Sequence, residues 1–304
     1  MTEDTTTKVR SQSSLGVLAV LAATACWSSA GVIAKNADLP GVVIAFWRLV
    51  LVSGTFGLIA AVTRKRITLA MLRRSLLGGL LFGVNLAVWF EALRHASVGI
   101  ATVTSALTPV MTLVIGARVL GEAITAKALW CACGAVGGIA VFVAFGFANG
   151  ATTAFGFAMA LAAIFIWVCY LFVSKRARQG VGTIEYMLCM AVIAALSLVP
   201  FMVLFTDEGL TPPSHGWGWL IALALIPGCL GHGLLAWAQA HVPLSTAGIL
   251  LQGEPVGAAF AGVIFLGESM VALQVLGLAV TVGALVVLSL STSPGAAEQD
   301  AAST

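Results

Sequence analysis

Residues 92–122, "ALRHASVGIATVTSALTPVMTLVIGARVLGE", and residues 238–268, "AQAHVPLSTAGILLQGEPVGAAFAGVIFLGE", are one passage written twice. At a constant offset of 146, without gaps, His95 meets His241, Pro109 meets Pro255 and Val110 meets Val256. Leu120, Gly121 and Glu122 meet Leu266, Gly267 and Glu268, and Gly137 meets Gly283. Chance apolar similarity does not bring His, Pro and Leu-Gly-Glu into register. Upstream the offset is 140, pairing Gly16 with Gly156, Trp27 with Trp167 and Lys35 with Lys175. A longer loop in the second copy, "TDEGLTPPSHGW" at 206–217, takes up the difference. The chain is a tandem of two related halves.

The solvent around those halves follows from composition. The chain is 60% hydrophobic and 9% charged, against about 25% charged in a soluble domain. Its charges cluster, leaving apolar runs of the length that crosses a bilayer core about 30 Å thick. Ten such runs lie near 15–34, 41–63, 75–93, 97–117, 127–147, 154–174, 185–205, 217–237, 243–266 and 270–290. The expected fold is an all-α integral membrane protein with lipid as its surroundings. Residues 1–14 and 291–304 read as disordered ends flanking a first five-helix half (15–147) and a second (154–290). The first run is longer than the core of a signal peptide and nine more follow, so it reads as a retained helix.

Five is an odd number, so the second copy must enter the membrane upside down. Inverted repeats of this kind build many secondary transporters, with the substrate site near the midplane where the repeats meet. The positive-inside rule orients the bundle with both termini in the cytoplasm. That choice puts Lys8, Arg10, Arg64, Lys65, Arg66, Arg73, Arg74, Arg118, Lys127, Lys175, Arg176 and Arg178 inside, twelve of the 15 basic residues. Only Lys35 and Arg94 fall outside, and Arg48 lies within the second run. With the charges so placed, the net charge of +3 says nothing of nucleic acid, and no nucleic-acid partner is expected.

Ten spans as 5+5, a proline midway along the fourth and ninth, and Leu-Gly-Glu just after each of those two resemble the EamA-type branch of the drug/metabolite transporter superfamily. Glu254-Pro255-Val256 is similar to the Glu-Pro-Val of that family's second repeat, and "LRHAS" at 93–97 to its span 3–4 connection. The resemblance covers residues 15–290, and within the branch the chain is similar to the YddG-type aromatic amino-acid exporters. Thr108 stands where the first repeat would carry the matching glutamate. The resemblance implies export of amino acids, aromatic ones especially, across a bacterial cytoplasmic (inner) membrane.

Several residues are candidates for the substrate path. Glu254 lies about halfway along its span, where a carboxylate costs ~2.5–3.5 kcal/mol on insertion scales and so turns to the bundle interior or a wet cavity. It would contact a substrate ammonium, carry a coupling proton, or serve the backbone broken by Pro255, which removes an N–H and crowds the carbonyl of Leu251. Gln252 points to a different helix sector and suits a substrate or an interhelical hydrogen bond. Trp27 and Trp167 are mid-depth, so the boundary-anchor account of tryptophan fails for them. They offer two indole faces to a flat or apolar group, or else pack helices, and Tyr170 adds a neighbour to Trp167. Asn85 and Trp89, four apart, share one face of the third span. Ser105 and Thr108 precede Pro109, and their hydroxyls serve either a substrate or the helix break. His232 follows "IPGCLG", whose Pro227, Gly228 and Gly231 suggest a distorted helix. Arg48 and Glu91, toward the outer ends of neighbouring spans, are expected to pair.

Enzyme signatures are missing: no H-E-x-x-H, G-x-S-x-G or P-loop occurs. The six cysteines all fall in apolar runs and read as packing residues. No cofactor or metal is expected. The reading is a carrier of small organic solutes, with amino acids leading, another metabolite or drug-like amphiphile second, and a passive channel third.

Overall fold

In lipid the backbone has no partner but itself, so each apolar run closes into a helix. The structure, a computed structural model, describes residues 2–120, 125–148, 150, 152–178, 180–206, 216–238, 241–242 and 244–291. Glu122, most of the 206–217 loop and the tail beyond 291 lie outside the described residues. Among the described residues there are helices and connections but no strand. Among the described residues ten helical stretches are long and apolar enough to cross a membrane. Spans 1 to 5 are Ser14–Ala37, Gly41–Val62, Leu69–His95, Val98–Ile115 and Ala126–Ala148. Spans 6 to 10 are Ala154–Ser174, Thr183–Leu204, Trp217–Leu235, Thr246–Leu266 and Ala272–Leu290.

Two boundaries differ from the sequence reading. Span 3 begins at Leu69, because Thr68 caps it by accepting the Met71 N–H at 3.3 Å. Arg73 and Arg74 therefore ride on the helix instead of preceding it. At the N-terminus the helix holding span 1 runs from Thr2 to Ser28, where the sequence reading expects disorder up to residue 14.

The two halves interlock about a pseudo-two-fold. Gly16 at the start of span 1 lies against His241 and Val242 of the second half. Its repeat mate Gly156, at the start of span 6, lies against His95 of the first half. A methyl on Gly156 would come within 2.5 Å of the His95 carbonyl oxygen, so this approach requires glycine. In the same way span 1 packs on spans 8 and 9, and span 6 packs on spans 3 and 4. Spans 2 and 7 pair, and spans 5 and 10 pair, on the flanks. The repeated small residues seat these crossings: Gly79 and Gly83 meet span 7, Gly134 and Gly138 meet span 10, and Gly253 and Gly257 meet Thr24 and Ser28 of span 1.

Spans 4 and 9 break at equivalent points. The first is a helix Val98–Ser105 followed by Thr108–Leu120, the second Leu244–Leu251 followed by Gly253–Leu266. Pro109 and Pro255 lack the N–H that would bond the carbonyls of Ser105 and Leu251 four residues back. Span 1 breaks as well, at Ser29, two residues after Trp27. Span 8 carries a π-helical stretch, Ala224–Gly231, around Pro227. Four of the six central helices are thus irregular at mid-depth, which lipid tolerates only where protein or a cavity covers the backbone.

Candidate functional site

Those irregularities surround one cavity of about 360 Å³, within the range of small-molecule sites. Spans 1, 3, 4, 6, 8 and 9 wall it, with one side chain from span 2. Nine of the ten substrate-path candidates line it: Trp27, Asn85, Trp89, Ser105, Thr108, Trp167, His232, Gln252 and Glu254. Pro109 and Pro255, at the two helix breaks, line it too. Tyr170 does not; it is buried one turn beyond Trp167, its ring 5.1 Å from Trp167 and 5.1 Å from Phe82. Its contact is with the back of the wall, so it positions Trp167.

The span 8 side of the cavity is organised by one carbonyl. Pro227 O accepts from the Trp27 indole Nε1–H at 3.0 Å and lies 3.0 Å from His232 Nδ1. A carbonyl can only accept, so the His232 proton is assigned to Nδ1, leaving Nε2 as an acceptor in the neutral ring. The two rings meet edge to face at 5.0 Å. Gly231 makes this possible: a methyl there would fall 2.7 Å from Trp27 Nε1. Pro227 lies within the π-helical stretch, so both contacts fall at the irregular part of span 8.

Opposite, Asn85 donates from Nδ2 to the Ala163 carbonyl at 2.6 Å, tying span 3 to span 6. Asn85 also lines the cavity, so it is both a clasp and a wall residue. Ser105 donates to Thr102 O at 2.6 Å, which engages its hydroxyl hydrogen locally. Near the second break, Ser28 donates to Thr24 O at 2.9 Å and contacts the main-chain oxygen of Glu254 at 3.2 Å, joining spans 1 and 9. The backbone of Glu254 is fixed there, while its carboxyl has no hydrogen-bond or ion-pair partner among the described residues. Gln252 sits in the break itself, outside either helix segment. That explains how it and Glu254, two apart, reach the same cavity despite the expectation that they point to different sectors.

Sequence reasoning missed Arg48, Phe82 and Pro227 as wall residues. The expected Arg48–Glu91 pair is not formed. Glu91 instead accepts from the Gly41 N–H at 3.0 Å, from Arg94 at 3.2 Å, and lies 3.2 Å from His95 Nε2. The reason is depth: Arg48 lies seven residues past Gly41, about 10 Å farther along the helix at 1.5 Å per residue. Glu185, at the start of span 7, is buried and lies 3.6 Å from Lys65.

At one end of the bundle the halves are joined by charge. Lys35 Nζ donates to Glu268 Oε1 at 3.0 Å. The same carboxylate accepts the Val98 N–H at 2.8 Å and the Gly99 N–H at 3.5 Å, at the start of span 4. A carboxylate on a helix N-terminus meets both unsatisfied amides and the positive end of the dipole. Glu268 belongs to the second half, Lys35 and Val98 to the first. Nearby, Thr153 bonds the His95 carbonyl through both N–H (2.9 Å) and hydroxyl (3.1 Å).

Ten spans, two interlocked halves and between them a mostly apolar cavity carrying a few polar side chains define a polytopic inverted-repeat membrane protein. The chain belongs to the EamA-like transporter family, which matches it twice, over residues 14–144 and 154–290. It is therefore a multi-pass membrane transporter by family and not an enzyme. Among curated proteins it is similar to the threonine/homoserine exporter RhtA of Escherichia coli (strain K12), 32% identical over 145 residues, 45% of each chain. It is likewise similar to RhtA of Salmonella typhimurium (strain LT2), 32% identical over 136 residues, 42% of this chain and 43% of that one. These matches span less than half the length of the relatives. One solved crystal structure superimposes over 92% of this chain and 98% of its own, with a TM-score of 0.62 at 22% identity, and shares the fold.

Proposed function

We propose that this chain is a secondary carrier that exports amino acids across a bacterial inner membrane, alternating access to the central cavity by rocking one half against the other. The observation that carries this is the cavity at the repeat interface, which gathers Glu254, Asn85 and the mid-depth Trp27 and Trp167 in one wall set. A carboxyl and an amide oxygen suit an ammonium group, and indole faces suit an apolar or flat side chain. Kinship with threonine/homoserine exporters supports amino acids as cargo. L-Threonine and L-homoserine are the first substrates to test. The paired indoles favour a second reading with the same fold, aromatic amino acids.

In this mechanism Glu254 holds the substrate ammonium, or a proton when substrate has left. The Trp27–His232–Pro227 cluster sets the shape of one wall, and the two helix breaks let spans 4 and 9 bend as the halves move. Both termini in the cytoplasm, as the basic residues argue, make the Lys35 end extracytoplasmic.

The test is counterflow in proteoliposomes containing the purified chain. Preloaded L-threonine, or L-phenylalanine on the second reading, should drive transient uphill uptake of its labelled form, with saturation. Unsaturable uptake without counterflow would mean a channel. Counterflow of other metabolites or amphiphiles but of no amino acid would move the cargo to a different class.

A further inference from the structure

Arg48 is the positively charged side chain in the cavity wall. It is 7% exposed and lines the cavity that holds Glu254. Its guanidinium carbon lies 5.7 Å from the centre of the Phe90 ring. Its Nε lies beside the π-helical turn, where a methyl on Gly228 would be 3.7 Å away. Among the described residues no carboxylate oxygen comes within 4.0 Å of it, Glu254 included, and no carbonyl takes its N–H groups.

That environment is unusual for a structural arginine. A guanidinium has five donors in a planar fork, and a buried one normally spends them on carboxylates or main-chain oxygens. Here Phe90, Gly228, Cys229 and His232 flank the group, and its fork has neither a carboxylate nor a main-chain acceptor among the described residues. A planar fork without a protein acceptor matches a carboxylate in two parallel hydrogen bonds. Glu254 is the complementary group, an acceptor without a protein donor, and the two are too far apart to neutralise each other.

We propose that Arg48 binds the substrate carboxylate, so that Arg48 and Glu254 together make the cavity a zwitterion site. This rests on the amino-acid reading above and deepens it. It assigns the α-carboxylate as a required group and makes amides, esters and decarboxylated amines poor ligands. A site built around an ion-paired carboxylate rejects the analogue that lacks it, because the buried guanidinium is then left unpaired.

The experiment compares competitors of labelled L-threonine counterflow in wild-type proteoliposomes: L-threonine, L-threoninamide, the amine lacking the carboxylate, and 2-hydroxybutyrate, which lacks the ammonium. The amide and the amine should compete at least about tenfold less well than the acid. Arg48→Gln should weaken L-threonine by about tenfold or more while leaving the amide unchanged, so that the two converge. Arg48→Lys, which keeps the charge without the fork, should fall between. The wild-type comparison stands even if a variant fails to fold. Equal competition by acid and amide in the wild type, or unaltered L-threonine affinity in folded Arg48→Gln, would overturn the assignment while amino-acid transport stood. Counterflow of 2-hydroxybutyrate but of no amino acid would overturn the amino-acid reading and uphold Arg48. Counterflow of neither would overturn both.

Discussion

Replacing Glu268 by glutamine should loosen the bundle at its Lys35 end, and the structure sets the size of the effect. Any motion that separates the halves at that end must break the Lys35–Glu268 contact and release the start of span 4 from Glu268. The pair is 27% and 15% exposed by side chain, so it belongs nearer the upper part of the ~0–1 kcal/mol range for accessible ion pairs. A neutral amide oxygen at the Val98 N–H forfeits the charge–dipole part of that bond, ~0.3–1 kcal/mol. Together about 1.5 kcal/mol of preference for the closed end is lost, close to a tenfold change in the opening equilibrium. Glu268→Ala should lose more, since the Val98 amide then has no side-chain acceptor. The assay is the labelling rate of a cysteine placed at Ser105, in a background without the native cysteines, by an impermeant thiol reagent added from the Lys35 side. Glu268→Gln should label about tenfold faster than the parent, and Lys35→Ala somewhat less than that. Adding Lys35→Ala to Glu268→Gln should contribute little, because one contact is counted once. Unchanged labelling in Glu268→Gln, with the protein folded, would refute the clasp as a brake on opening.

Three further outcomes follow from the same geometry. Trp167→Ala should lower substrate affinity about tenfold or more with a smaller effect on melting temperature, and Trp27→Ala should equal or exceed it in destabilisation because the bond to Pro227 is lost; kinetics unchanged in both would make the indoles packing groups. Glu254→Gln should fold and transport with a partial defect while Glu254→Ala is severely impaired, checked by counterflow at fixed pH, and wild-type rates in both would remove the residue from the site. Loss of accumulation driven by a pH gradient with exchange intact in Glu254→Gln would identify the carboxyl as the proton carrier. Reporter fusions at Arg74 and Arg178 should score as cytoplasmic and one at Gly150 as extracytoplasmic; the opposite pattern would invert the proposed export direction.

Much of this was legible in the chain because it was written twice. The repeated Pro109/Pro255 and Trp27/Trp167 pairs pointed to the middle of the bundle, and two-fold placement brought nine candidates to one cavity. Tyr170 was misplaced because sharing a helix sector with Trp167 does not settle depth: one turn farther on, the ring is already inside the wall. Arg48 was misread for a related reason. Both it and Glu91 looked near the outer ends of neighbouring helices, yet counting from Pro40 puts Arg48 two turns inward, and Glu91 is held at the end by Gly41. The π-helical turn at Ala224–Gly231 could be suspected from its Pro and Gly but not located, and the Trp27 bond to Pro227 joins residues 200 apart in sequence. The Glu268 clasp had a visible signal in the repeated Leu-Gly-Glu, but its partners come from the other half, 233 and 170 residues away in sequence.

In the proposed carrier, the cavity between the halves is the site through which an amino acid passes. The most direct measurement is protection by substrate of the Ser105→Cys thiol, in the cysteine-free background, alongside counterflow of the same substrate. L-Threonine, or the aromatic amino acid that replaces it, should slow labelling saturably, with a half-protecting concentration matching that for transport. Saturable transport with labelling unaffected at every substrate concentration would contradict that role of the cavity.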